Sequence, residues 1–191
     1  GNQSKIVQFW TGQGDNGKSV CELLFEKMMG GYSIKFPTTV LTGKRTQASS
    51  AAPEMARSQG KRLAFIQEPS EQDSINVGVF KELSGNDSFF ARGLYKEGHE
   101  IQPLFKLVFV SNGIPSMPGA DRAVWNRVRV IPFESTFCDD VPETFEEQLL
   151  EKRFPKDPYF AEKLDDLAPA LAWVLLEHRK GDIRCVTPEK V

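Results

Sequence analysis

The chain predicts an α/β fold, a central parallel sheet flanked by helices, from three features of its residue order. The apolar run Ile6-Val7-Gln8-Phe9-Trp10 leads directly into Gly12-Gln13-Gly14-Asp15-Asn16-Gly17-Lys18-Ser19, a complete G-x-x-x-x-G-K-S phosphate-binding loop. Residues 62–66 and 106–110 are short runs with the near-continuous hydrophobicity of strands buried on both faces, and residues 127–131 read as a further buried strand. Helical patterns lie between these runs, the alternation from which parallel crossovers are built.

The loop sets the chemistry. Gly12, Gly14 and Gly17 let the backbone turn tightly and aim its amides at phosphate oxygens, with Gln13, Asp15 and Asn16 completing the cradle. The helix that opens at Lys18 adds the positive end of its dipole. In a bound ATP, Lys18 would reach the β- and γ-phosphates and the Ser19 hydroxyl would hold Mg²⁺.

The elements follow in order. Residues 18–29 form a helix with Val20, Leu23, Leu24, Phe25 and Met28 on its apolar side, ended by Gly30-Gly31. Residues 34–36 make a short strand before Pro37, and residues 42–50 form a polar loop carrying Lys44 and Arg45. Pro53 opens a short helix through Arg57, and the strand at 62–66 ends at Gln67-Glu68. A helix over 75–83 closes at Ser84-Gly85-Asn86-Asp87. Residues 89–95 and 100–102 flank Lys96-Glu97-Gly98-His99 with the turn chemistry of a β-hairpin, placing Lys96 and His99 at its tip. The strand at 106–110 ends at Ser111-Asn112, and 127–131 is the last strand of the sheet. Beyond it lie acidic helical segments, clearest over 164–178, where Leu167, Leu171, Val174 and Leu175 share a face. The expected organisation is a nucleotide-binding core over 1–133 and a small acidic C-terminal helical region over 134–191.

Composition narrows the class. With 40% hydrophobic residues and 14 Phe, the chain can bury one sizeable core. No apolar stretch approaches the roughly 20 residues of a membrane span, and no basic-then-apolar leader opens the sequence, so a soluble protein is expected. Cys21, Cys138 and Cys185 are far apart, and only His99 and His178 offer imidazoles, which argues against a zinc site or disulfide framework and suits a reducing, intracellular compartment. The net charge of −2 hides a division: residues through Phe133 carry an excess of four basic side chains, the remainder an excess of six acidic ones. A basic element can grip nucleic acid without a basic chain overall.

Glu68 and Asn112 both end strands of the predicted parallel sheet, where such folds place their chemistry. Glu68 is the candidate to polarise an attacking water, with Ser19 and waters carrying most of the metal and Glu71 in reserve. Asn112 is the candidate to orient that water. An acid in a turn and an asparagine capping a loop are the ordinary uses of these two residue types.

Six short motifs stand in a telling order: Gly12 to Ser19, Gln67-Glu68-Pro69, Lys81-x-Leu83-x-Gly85-x-Asp87, Arg92-x-Leu94-Tyr95, Lys106 to Asn112, and Asp121-x5-Arg127-x4-Pro132-Phe133. In this order the chain resembles superfamily 3 helicases, and more narrowly the helicase part of poxvirus-type primase-helicases of large DNA viruses and their phage and plasmid relatives. The resemblance implies an AAA+-like P-loop motor with an inserted β-hairpin. Such a motor binds ATP between subunits of a homo-hexamer and draws single-stranded DNA through the central channel during viral or mobile-element replication, in the host cytoplasm or nucleus if viral. It also implies a primase domain and a helical collar upstream in the same polypeptide. Arg127 becomes the arginine finger, with Arg122 and Arg129 able to share or replace that role, and Lys81 approaches the neighbour's nucleotide. The hairpin becomes the DNA element: Lys96 contacts phosphate, His99 sugar or phosphate, and Tyr95 or Phe90 gives packing or stacking. Two other readings use the same loop: a small-molecule kinase, and a nucleotide-gated loader or initiator that assembles on DNA without processive unwinding.

Overall fold

A computed structural model describes residues 2, 4–42, 52–67, 74–85 and 87–179. Strand β1 (Val7–Thr11) runs into the phosphate-binding loop, and helix α1 (Lys18–Met29) starts inside it. A 3-10 turn over Gly30–Tyr32 leads to β2 (Ser33–Phe36). Two single-turn helices, α2 (Thr39–Thr42) and α3 (Pro53–Ala56), precede β3 (Leu63–Gln67). Pro53 sits at the start of α3, where its missing N–H has no intrahelical partner to lose. Helix α4 (Val77–Ser84) is capped by Asn76, whose side-chain oxygen accepts from the amides of Gly78 and Val79. Strands β4 (Phe89–Arg92) and β5 (Gly98–Ile101) pair antiparallel as the expected hairpin. Then come β6 (Lys106–Val110), the short helix α5 (Arg122–Trp125) capped by Asp121, and β7 (Val128–Pro132).

The main sheet has the order β2-β3-β6-β1-β7, and every neighbouring pair is parallel. The segments following β1, β6 and β7 therefore leave from one edge, the edge at which β3 also ends. Side chains alternate across the pleat to two apolar layers. Val7, Phe9, Ile66, Leu107 and Phe109 belong to the larger core, in which Phe9 and Phe109 stack at 4.5 Å. Trp10, Phe65, Val108 and Val110 form the other layer, with Phe25 of α1 and Phe133 packed against it. Burial on both faces explains why these strands read as unbroken hydrophobic runs. The architecture is the expected AAA+-like P-loop fold with its inserted hairpin.

The chain after β7 is richer than helical periodicity suggests. It contains β8 (Thr136–Cys138), helix α6 (Phe145–Glu151), β9 (Arg153–Pro155), a 3-10 turn over Phe160–Lys163 and helix α7 (Leu164–Glu177). β8 and β9 pair in parallel as a second small sheet, and strands of three residues carry too little pattern to be seen in sequence. Thr144 and Glu147 form a capping box at the start of α6. Helix α7 lies against α1, burying Leu164 and Ala168, with Lys27 and Asp165 paired at 2.5 Å. Val174 and Leu175, expected to share a face with Leu167 and Leu171, are exposed.

Helix α1 also departs from its expected apolar side. Leu23 is exposed, whereas Lys18 and Glu22 are its buried residues. Glu22 pairs with Lys35 of β2, 3.2 Å away, which also reaches Glu26 at 3.0 Å. A buried carboxylate is tolerated when a cation and hydrogen bonds replace its water. Among the described residues no helix is long and apolar enough to cross a membrane.

Candidate nucleotide-binding cleft and the opposite sheet end

Gly12 has φ +147°, and a Cβ there would stand 2.3 Å from Nδ2 of Asn16 and 2.6 Å from the carbonyl oxygen of Phe133. Only glycine fits so close an approach of backbone to backbone. Gly17, in the left-handed region at φ +81°, is the N-cap of α1. It turns the chain so that α1 opens inside the loop, where the Lys18 amide donates to Oδ1 of Asn16 at 3.3 Å.

The loop is held from a distant part of the chain. The Phe133 amide donates to the Thr11 carbonyl at 2.7 Å, and the Phe137 amide donates to the Asp15 carbonyl at 2.7 Å. The Asn16 side-chain amide donates to the Phe133 carbonyl at 3.3 Å. Sequence reasoning gave residues 133–137 no part in the loop, because partners more than a hundred residues away leave no local pattern.

Lys18 is 7% exposed, and its ammonium donates to the carbonyls of Gly12 at 2.5 Å and Gln13 at 3.0 Å and to Oδ1 of Asn16 at 3.0 Å. The cation thus sits within the cradle, surrounded by oxygens that incoming phosphates would replace. Ser19 and Asn112 line the same cavity of about 950 Å³, which opens at the C-terminal strand edge. Cys21 lines it too, and burial pushes its thiol pKa up, so it contributes apolar wall and not a nucleophile. Glu68, Glu71, Lys44 and Arg45 lie outside the described residues. The last described residue before Glu68 is Gln67, which pairs with Val110 at the cavity edge of the sheet.

Arg127 lies at the other end. Its carbonyl accepts from the Val7 amide at the start of β1, and its guanidinium donates to the Lys81 carbonyl at 2.8 Å and to Oγ of Ser84 at 2.7 Å. Lys81 pairs with Asp121 at 2.8 Å, and this ammonium holds the Asp121 carboxyl below its ordinary pKa. Arg122 is exposed on α5, and Arg129 donates to the carbonyls of Asn126 and Val128. The structure thus gathers Lys81, Arg122, Arg127 and Arg129 around α4, α5 and the start of β7, and keeps them apart from Lys18, Ser19 and Asn112.

The hairpin stands on a buried base of Phe89, Ala91 and Ile101. Tyr95, at φ +56° and 98% exposed, forms the turn with exposed Lys96. His99 lies further back, 3.0 Å from Oε1 of Gln59. Phe90 covers Gly98 so closely that a Cβ there would fall 2.1 Å from the ring, which explains the glycine and fixes the exposed ring across the hairpin.

Known proteins share this fold. Two structures of the C-terminal region of NrS-1 superpose with TM-scores of 0.59 and 0.58 at 14% and 13% identity, each covering 89% of this chain and 35% and 36% of theirs. That likeness is one of fold. Among curated proteins, 022R of Frog virus 3 (isolate Goorha), provisionally named a helicase, is 49% identical over 180 residues, 92% of this chain and 18% of its own length. The similarly named 184R of Invertebrate iridescent virus 6 is 44% identical over 185 residues, 93% of this chain and 19% of its own. L207/L206 of Acanthamoeba polyphaga mimivirus, also provisionally a helicase, is 36% identical over 180 residues, again 93% of this chain and 19% of its own. The chain thus spans about a fifth of the length of these relatives. A family model described as a family of unknown function, DUF5906, matches residues 10–127, more than half of the chain, which therefore belongs to that family.

Proposed function

We propose that this chain is the ATP-driven motor of a viral or mobile-element replication helicase, of the superfamily 3 type, that hydrolyses ATP between subunits and moves on single-stranded DNA. The helicase names of its viral relatives support that reading. The observation that carries it is the separation of Arg127 from the chain's own phosphate loop. β7 runs five residues between them, and at about 3.3 Å per residue its length exceeds the reach of an arginine side chain. An arginine placed there serves a nucleotide only if that nucleotide belongs to a neighbouring copy.

Within one cleft, the loop amides and Lys18 bind and orient the triphosphate. To reach the β- and γ-oxygens, Lys18 leaves the Gly12, Gln13 and Asn16 oxygens, exchanging neutral acceptors for charged ones. The glycine-lined cradle and the Ser19 hydroxyl beside it fit a magnesium-bound triphosphate, with Glu68 the further candidate for the metal. Bound Mg²⁺ would supply neutralisation of phosphate charge. Asn112 orients water for attack on the γ-phosphorus, and the P–O bond to the β-phosphate breaks. A guanidinium from the adjacent subunit offsets the charge that develops. The hairpin, rigid at its base and exposed at its tip, couples the cycle to DNA through Lys96 and His99. A ring of identical subunits, a hexamer in the full-length polypeptide, provides both the seam and the channel.

Hydrolysis is expected to rise with added single-stranded DNA and with protein concentration. Lys96→Ala combined with His99→Ala should remove the DNA-dependent increment and flatten the salt dependence of DNA binding. Steady-state ATPase assays and DNA anisotropy at two salt concentrations measure this. A rate indifferent to DNA and to protein concentration would favour the small-molecule kinase. DNA stimulation without strand displacement by the full-length polypeptide would favour the loader.

A further inference from the structure

The cavity at the phosphate loop is larger than three phosphates need, and its excess lies on one side. β6 and β3 flank β1 on one hand, and β7 flanks it on the other. Asn112 follows β6 and lines the cavity there, so the group suited to act on a γ-phosphate stands on the β6 side of the loop. A triphosphate with its γ end turned that way sends its nucleoside toward β7. There the cavity continues between Ile131 at the end of β7, Phe137 of β8, Pro155 of β9 and Phe160, over Leu24 of α1.

This side is built and not incidental. A Cβ on Gly17 would stand 3.2 Å from the Phe137 ring, so the ring packs directly on the loop. Phe154 supports that ring from behind at 6.1 Å between centroids, and the Phe137 amide ties its backbone to Asp15. Phe160 is partly exposed, placed where a planar ligand could cover it. A volume of about 950 Å³ with an apolar half and a phosphate-binding half matches a whole nucleoside triphosphate.

We propose that Phe137 and Phe160 hold the nucleobase and ribose of the bound nucleoside triphosphate, so that the chain beyond β7 supplies the base half of the nucleotide site. The inference rests on the reading of the loop as a triphosphate site, and the test separates the two. Calorimetric titrations with ATP and with inorganic tripolyphosphate are compared for the wild-type protein, Phe160→Ala, Phe160→Tyr and Lys18→Ala. Loss of an aromatic stacking partner should weaken ATP binding by roughly tenfold in Phe160→Ala and leave tripolyphosphate binding unchanged. Phe160→Tyr, which keeps the ring, should bind ATP as the wild type does. Lys18→Ala should weaken both ligands. If Phe160→Ala loses both ligands equally, or neither, the base slot is wrong while the phosphate loop stands. If Lys18→Ala changes neither, the phosphate reading itself fails. Should Phe160→Ala not fold, as judged by its melting curve, Phe160→Leu carries the same comparison.

Discussion

Lys18→Ala is expected to leave the protein without useful ATP hydrolysis, with a fall in kcat of at least about 10²–10³-fold, the scale on which a preorganised charge at a transition state acts. The ammonium is the buried cation of the loop, and alanine offers nothing to the phosphate oxygens it would meet. The substitution also leaves the carbonyls of Gly12 and Gln13 and Oδ1 of Asn16 without that donor. Oδ1 of Asn16 still accepts from the amide of residue 18, and each carbonyl left without a donor costs about 1–3 kcal/mol unless water replaces the ammonium. A melting curve should accompany the kinetics, so that lost binding is measured on folded protein. Hydrolysis within tenfold of wild type, with ATP affinity intact, would remove the loop from the chemistry.

Arg127→Ala should be at least as damaging, since an arginine finger is worth roughly 10³–10⁵ in rate. Here the structure makes the test sharper. Arg127 also ties β7 to the end of α4 through Lys81 and Ser84, so a poor rate alone would not tell a finger from a strut. Mixing Lys18→Ala with Arg127→Ala protein does tell them apart. In a mixed ring some seams pair an intact loop with an intact Arg127, and hydrolysis should recover part of its wild-type value. A strut is lost in its own chain and gains nothing from a neighbour. Absence of recovery at every mixing ratio, with co-assembly demonstrated, would overturn the role. Recovery with Arg122→Ala or Arg129→Ala as the partner defect would instead move it to that residue.

How much of this was legible in the sequence follows from what each feature depends on. β1, β3 and β6 were legible because they are buried on both faces and leave runs such as Leu107-Val108-Phe109-Val110, whereas β7, expected as another buried strand, is the edge of the sheet and leaves Val130 and Ile131 exposed. The start of α1 was legible because Gly17-Lys18-Ser19 is fixed by local backbone geometry. Its buried face was not, since Glu22 is inside only because Lys35 arrives on β2 to meet it. The polar end of the cleft was readable from the motif, but its apolar end was not. Phe137, Pro155 and Phe160 come from strands and turns too short for periodicity to register, and tertiary pairing alone brings them to the loop. The same limit applies to Val174 and Leu175: spacing put them on the face of Leu167 and Leu171, but α1 covers only the first part of α7.

The bonds from Phe133 and Phe137 to the glycine loop bear on modularity. Excision after Phe133, a natural choice for a minimal motor, would keep every letter of the nucleotide motif yet strip the Asp15 carbonyl of its partner and uncover Gly17. Such a truncated protein should bind ATP far more weakly than the whole chain, which titration of both would show. On the proposed reading, the shortest stretch able to grasp a nucleotide is longer than the one that spells out the motif.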